Sequence, residues 1–338
     1  TLEANDFIFS ISGGNASLSN TTPTSISISG NVYTLGIGLS GSVNGSESLT
    51  VNPIDNGIYD SAGNEASTSQ SNNSTTLYDK VLPVITGIAL ASDNSSAAVT
   101  FSEAVFNATG GSGALQANDF VLSVTGGNAT LSNTTPTSIS ISSNTYTLGF
   151  SLSGTTDGSE LLVVNLLDDS IYDADNNEAR TSQSNNSINL NDNTVPTVTS
   201  VSSITANGSY GVGNLVQITT IFSEIVIVTG TPQISLETGP TDAVVDYSSG
   251  SGSNTLVFNY TIAAGDTTSD LEYKETTSLV LNGGTIKDAA GNAATLTLAS
   301  PAESSSLSNN KNLVIDGNLP TVISVNSTKA NGTYGLND

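Results

Sequence analysis

Apolar and polar residues alternate over four to eight positions along most of this chain. Tyr146, Leu148, Phe150 and Leu152 of "TYTLGFSLS" share one phase, as do Leu256, Phe258 and Tyr260 of "TLVFNYTI". A period of two sends one face of an extended strand to a core and the other to water, the mark of half-buried antiparallel sheet. Val, Ile, Thr and Tyr dominate these runs. Gly-Gly, Asn-Gly, Ser-Gly and Thr-Thr-Pro punctuate them roughly every 8 to 12 residues. No segment sustains a 3.6-residue period, so no helix is predicted. About seven short strands in roughly 115 to 125 residues predict immunoglobulin-like β-sandwiches, so the expected fold is all-β, with such domains in a linear, rod-like array.

The pattern itself repeats. "LEANDFIFSISGGNASLSNTTPTSISIS" from Leu2 returns as "LQANDFVLSVTGGNATLSNTTPTSISIS" from Leu115, an offset of 113 residues that runs without a gap to Pro83 and Pro196. A second spacing, of 124 residues, relates "PTVTSVSSITANGSYGVGN" from Pro196 to "PTVISVNSTKANGTYGLND" from Pro320. Periods this long indicate tandem domains, because solenoid repeats run about 20 to 50 residues. The expected domains are residues 1–80, N-terminally incomplete; 81–194, of the same type; 195–318, of a longer type; and 319–338, the start of a further one. The first lacks a counterpart of Val84–Ala114, which opens the second. With Thr1 first and Met absent, we expect a mature or excised piece of a longer protein.

Each connector, "YDKVLP", "NDNTVP" and "IDGNLP", places an Asp four residues before a Pro. Proline fixes its own φ and biases its predecessor toward extended geometry, so the links are expected to be short and stiff.

Composition narrows the chemistry. Six Lys and Arg against 30 Asp and Glu give a net charge of −24, which repels nucleic acid and anionic membrane surfaces and attracts cations. Cys, His and Trp are absent, which excludes disulfides, thiolate or imidazole metal sites, Ser-His-Asp triads and the strongest sugar-stacking side chain. The expected class is a non-enzyme. No apolar run approaches the roughly 18 residues of a membrane span.

The residues resemble a known group. "FSEAVFN" at Phe101, "FSEIVIVTGTPQISLETG" at Phe222, "SGSGSNTLVFNYTIAAGD" at Ser249 and "LNGGTIKDAAGNAATL" at Leu281 look like the immunoglobulin-like repeats of very large, calcium-binding bacterial surface adhesins. "NDNTVP" is similar to the interdomain calcium linker of cadherins. The resemblance implies an extracellular stalk or filament, at the cell surface or secreted, giving reach for adhesion, with Ca2+ stiffening its junctions. Expected partners are neighbouring repeats of the same or identical chains, then cell-surface or extracellular polymers. Two other readings stay open: a glycan- or polymer-binding accessory module of a secreted enzyme, and a filament subunit assembled by donating the strand-like segment Thr321–Leu336.

Strand order gives a separate reason to group the acids. "IYDSAGNEA" at Ile58, "IYDADNNEA" at Ile171 and "IKDAAGNAA" at Ile286 keep one Asp three times, and "FSE" supplies a Glu twice. Glu103 is expected after the second strand of its domain and Asp173 before the last. With Asp79 in the incoming linker, all three converge at one pole. The same logic groups Asp192, Glu224 and Asp288. Asp60 would belong to an incomplete first site, and Asp316 to one whose other ligands lie beyond Asp338. Asp175 adds a carboxylate in the middle copy. Calcium takes six to eight oxygens, and Asn64, Asn177, Asn292 and loop carbonyls would supply the remainder. The competing reading is a plain turn, since Asp followed by Gly-Asn closes one readily. Asp175 and Asn176 replace Ala-Gly in the middle copy, which puts the same turn geometry there in question.

The remaining features carry bland readings. Tyr59 and Tyr172 are expected as core or rim packing, the "TSISIS" rows as ordinary half-exposed strands, and the Asn-x-Ser/Thr sequons as chance in Ser/Thr-rich sequence. Lys80 and Lys287 do not align with lysines in sister repeats, which speaks against isopeptide staples.

Overall fold

The computed structural model describes residues 1–336. They form an all-β chain that divides into two compact units, Thr1–Asp192 and Asn193–Asp338.

In the first unit, the repeated sequence builds repeated sheets. Phe7–Ser12 pairs antiparallel with Ser48–Pro53, which pairs with Ser74–Thr76. The second repeat does the same with Phe120–Thr125, Leu161–Leu166 and Ser187–Asn189. It also carries a four-stranded sheet in the order Ser138–Ser142, Thr145–Gly149, Ser96–Phe101, Ile85–Leu90. Leu122, Leu162 and Val164 on one sheet meet Ala97, Val99 and Leu148 on the other, all at 0% exposure. Burying each of the larger of these side chains stabilises by about 1.5 to 3 kcal/mol, which is why the period-two pattern dictates the layering. Tyr146 stands edge-on to Phe101 at 5.6 Å in the same core. Two two-residue rungs, Thr130–Leu131 and Leu152–Ser153, bring the described strands of this repeat to nine, seven of them longer than two residues.

The second unit is built around Leu215–Thr229, a 15-residue strand that pairs with Val198–Ser203, Ser253–Thr261 and Thr285–Lys287. Its register against Ser253–Thr261 shifts between Ile221 and Val226. A shift of this kind bends a strand, so one strand can serve both of its partners there. Phe222, Phe258 and Tyr273 fill the core.

Three features depart from the sequence expectation. Leu307–Asn310 is a one-turn helix capped by the Ser306 side chain, and Glu272, 35 residues upstream, accepts from the backbone N–H of Leu307 and Ser308. A helix end held by a distant carboxylate leaves no periodic signal. Gly208–Gly211 pairs parallel with Leu313–Asp316, where only antiparallel pairing was expected. The segment after Leu319 forms no strand among the described residues, and Val322, Ile323 and Val325 are more than four-fifths exposed. A lone strand can neither satisfy its backbone nor bury a face.

The tight turn between Ser138–Ser142 and Thr145–Gly149 places Ser143 at φ +53°, where the first repeat has Gly30 at φ +64°. A β-carbon is disfavoured in that region. Ser143→Gly is therefore expected to raise stability by up to about 1 kcal/mol, read as a higher urea midpoint at unchanged m-value; a lower midpoint would refute the strain argument.

Candidate metal centre

The local turn comes first. Asp173 is 1% exposed, and its Oδ1 accepts from the backbone N–H of Asp175 at 2.9 Å and Asn177 at 2.7 Å. Asn177 Nδ2 holds the other oxygen at 2.7 Å. Asn176 takes φ +73°, close to the +89° of Gly63 and +99° of Gly291. Asparagine tolerates this region better than most residues, so losing the glycine does not change the turn. Asp288 repeats the pattern with Gly291, Asn292 and the Asn292 side chain. Asp60 does so with Ala62, Asn64 and the Asn64 side chain.

Three chain segments then bring carboxylates together in the first unit. Phe106 and Tyr172 exchange backbone hydrogen bonds of 2.7 and 2.8 Å, which ties the chain just after Glu103 to the loop that carries Asp173. The Tyr146 hydroxyl donates to Val105 O at 3.0 Å and fixes the same segment from the core. Asp79 arrives from the first repeat, where Leu77 N–H donates to Glu47 O and Lys80 N–H to Val43 O. Asn177 Nδ2 also reaches Asp79 O at 3.0 Å. One carboxylate oxygen from each of Asp79, Glu103 and Asp173 lies within 4.8 Å of the other two.

Such a group resists holding three negative charges. Burial first, then the charges of Asp79 and Asp173, push the Glu103 carboxyl from its ordinary 4.5 up to about 7. Asp175 adds a smaller push of the same sign. Asp175 is half-buried and lies outside the close trio; its backbone N–H serves the turn, and its charge acts from nearby. A divalent cation would replace the mutual repulsion with attraction, and carboxylate and carbonyl oxygens are the hard donors calcium takes.

The remaining sequence candidates fall elsewhere. Asp60 is exposed, and Asn64's side chain foremost, then its backbone N–H, hold its carboxyl below the ordinary value; in that repeat the acid closes a turn. Asp192 ends the first unit, with its Cβ 3.3 Å from where a side chain on Gly158 would begin. Glu224 and Asp288 belong to the second unit. Glu224 stands inside the long strand, at the register shift, and not after a strand as expected. Asp316 ends the strand Leu313–Asp316, exposed, and accepts from Asn318 N–H. Tyr59 is half-exposed at the rim and donates to Asn56.

Asn64, Asn177 and Asn292 each donate a side-chain N–H to the aspartate of their own turn, a role the sequence expectation did not include. The four-residue spacing held the signal, since it lets the amide reach the carboxylate it follows. No helix among the described residues is long and apolar enough to cross a membrane. Comparison with family models, with curated proteins and with solved structures returned no match for this chain.

Proposed function

We propose that the chain is a segment of an extracellular bacterial adhesin stalk, built of immunoglobulin-like repeats whose junctions are stiffened by calcium. One observation carries the calcium reading: Asp79, Glu103 and Asp173, far apart in sequence, present oxygens within 4.8 Å of one another. One of them is the linker residue. A cation held there fixes the linker against the second repeat, and the linker is already hydrogen-bonded to the first repeat through Leu77 and Lys80. Reach and stiffness then follow from one device repeated along a chain. A site with few carboxylates suits an extracellular module, which needs only about 10⁻⁴ to 10⁻³ M affinity.

Calorimetric titration of calcium into the whole chain tests this. Binding in that range, lost or weakened at least tenfold in Asp173→Asn, is the expected result. Absence of any heat or stabilisation at 10⁻² M calcium, about ten times the weaker expected dissociation constant, would overturn the reading.

A further inference from the structure

The four-stranded sheet of the second repeat has two outer strands, and the fold treats their open edges differently. One is Ile85–Leu90, whose register against Ser96–Phe101 shifts between Ile85 and Gly87. There Gln183 Oε1 accepts the Ile85 N–H at 2.8 Å, and Ser187–Asn189 runs close beside the strand. An irregular register, a side-chain cap and a covering segment all guard an edge against pairing with another chain.

The other is Ser138–Ser142, which pairs only with Thr145–Gly149, in unbroken register. It carries none of these guards. Ser138, Ser140, Ile141 and Ser142 are exposed, Ile141 at 48%, and Pro136 is buried ahead of the strand. Although the chain carries a net charge of −24, no charged residue occurs between Asp119 and Asp157, nor between Asp6 and Glu47 in the first repeat. The longest run that the two repeats share unchanged is "LSNTTPTSISIS", from Leu18 and from Leu131, and it ends in this edge. The backbone direction follows from the hairpin. In the first repeat Gly36 N–H donates to Ser25 O at 2.9 Å, and hydrogen bonding alternates along an antiparallel pair. Ser27 and Ser29, like their counterparts Ser140 and Ser142, therefore bond across the hairpin, and the amides of Ile26, Ile28, Ile139 and Ile141 point to the open side.

We propose that the edge Ser138–Ser142, with its copy Ile26–Ser29, is a lateral docking surface for the same edge of a second copy of this chain. "SISIS" reads the same in both directions. Two such strands set antiparallel about Ser140 place Ile139 of one chain opposite Ile141 of the other, so outward amides meet outward carbonyls. Isoleucine then meets isoleucine on one face of the joined sheet, and serine meets serine on the other. A patch that complements itself about a two-fold axis selects a like chain, and without charge it has no means of selecting an acidic or basic partner.

Sedimentation equilibrium of the whole chain tests this, at about 0.1 to 1 mM because one short strand pair is a small contact. EDTA excludes metal-bridged contacts, and about 0.15 M salt screens the net charge beyond roughly 8 Å while leaving charges directly opposite each other coupled. The expected result is reversible self-association, with amide exchange at Ile139 and Ile141 slowed about twofold or more and that of Ser140, already bonded, unchanged. A chain carrying both Ser27→Lys and Ser140→Lys is expected to stay monomeric, as is one carrying Ser27→Asp and Ser140→Asp, because each sets like charges opposite one another. Mixing the two variants should restore association, which misfolded variants could not do. An unmodified chain that stays monomeric throughout would overturn the proposal. So would association that both variants retain, because it runs through another surface, or a mixture of the variants that stays monomeric.

Discussion

Calcium at 10 mM is expected to raise the melting temperature of the first unit relative to the same protein in excess EDTA. With a dissociation constant of about 10⁻⁴ to 10⁻³ M, mass action gives about 1.4 to 2.7 kcal/mol, or about 3 to 10 °C for a unit of this size. The effect should depend on pH in a direction fixed by Glu103, whose carboxyl is pushed up to about 7 when no cation is present. Between its ordinary 4.5 and about 7, the folded chain holds a proton that the unfolded chain has released. Fewer protons on the unfolded side make stability fall as pH rises through that window, and it levels off above it. Bound calcium favours the ionised form of Glu103, so its stabilising increment should grow from pH 5 to pH 8. Glu103→Gln separates the two effects by sign. It removes a reluctant charge, so the calcium-free protein should become more stable at pH 8, while the calcium increment shrinks. Equal melting temperatures with calcium and with EDTA at pH 8 would leave the trio as a strained acidic corner with no ion to serve.

The second large effect is expected at a carboxylate with no part in that centre. Glu160 is 0% exposed, and its Oε1 accepts from the backbone N–H of Asn128 at 2.9 Å and Ala129 at 3.0 Å, while Oε2 takes that of Asp157 at 3.1 Å. These amides belong to two loops, and the glutamate is their shared acceptor. Glu160→Ala strands the donors in a site closed to water and leaves a void. A loss of about 3 to 5 kcal/mol is expected, as a lower denaturant midpoint for the first unit. Glu160→Gln keeps the volume and one good acceptor and should lose less. A cost under about 1 kcal/mol for the alanine variant would show that water replaces the carboxylate.

The same clamp explains "GGN" in both copies. A β-carbon on Gly127 would collide with the Glu160 carboxyl, and one on Gly14 with that of Glu47; both glycines also have positive φ, at +54° and +59°. Glu47 is likewise 0% exposed. Although removal from water opposes its charge, the amides of Ala16, Asn15 and Asn44 hold its carboxyl below the ordinary value. Neither glutamate is legible in the sequence, because a lone Glu 31 or 32 residues from the loop it caps resembles any solvent-facing charge.

The sequence by itself determined the strands, through the period-two alternation of apolar residues, and the repeated sheets, through the duplication at 113 residues. It also pointed to Asp79, Glu103 and Asp173 together, because an antiparallel strand reverses direction at each turn and so assigns loops to poles. Local chemistry sufficed there: side-chain period, turn residues and strand sense are set within a few positions.

Tertiary structure alone decided the rest. It showed that Asn176 keeps the turn its missing glycine put in question, that asparagine amides orient the aspartates, and that Glu224 lies within a continuous strand. It also placed Glu272 on a helix end and showed which of two closely similar sets of core residues is covered. Each outcome turns on a group distant in sequence, arriving or failing to arrive at hydrogen-bonding or packing distance. Phe120, Leu148 and Ile171 are buried while their copies Phe7, Leu35 and Ile58 are only half-buried, because burial belongs to the neighbour that covers a side chain.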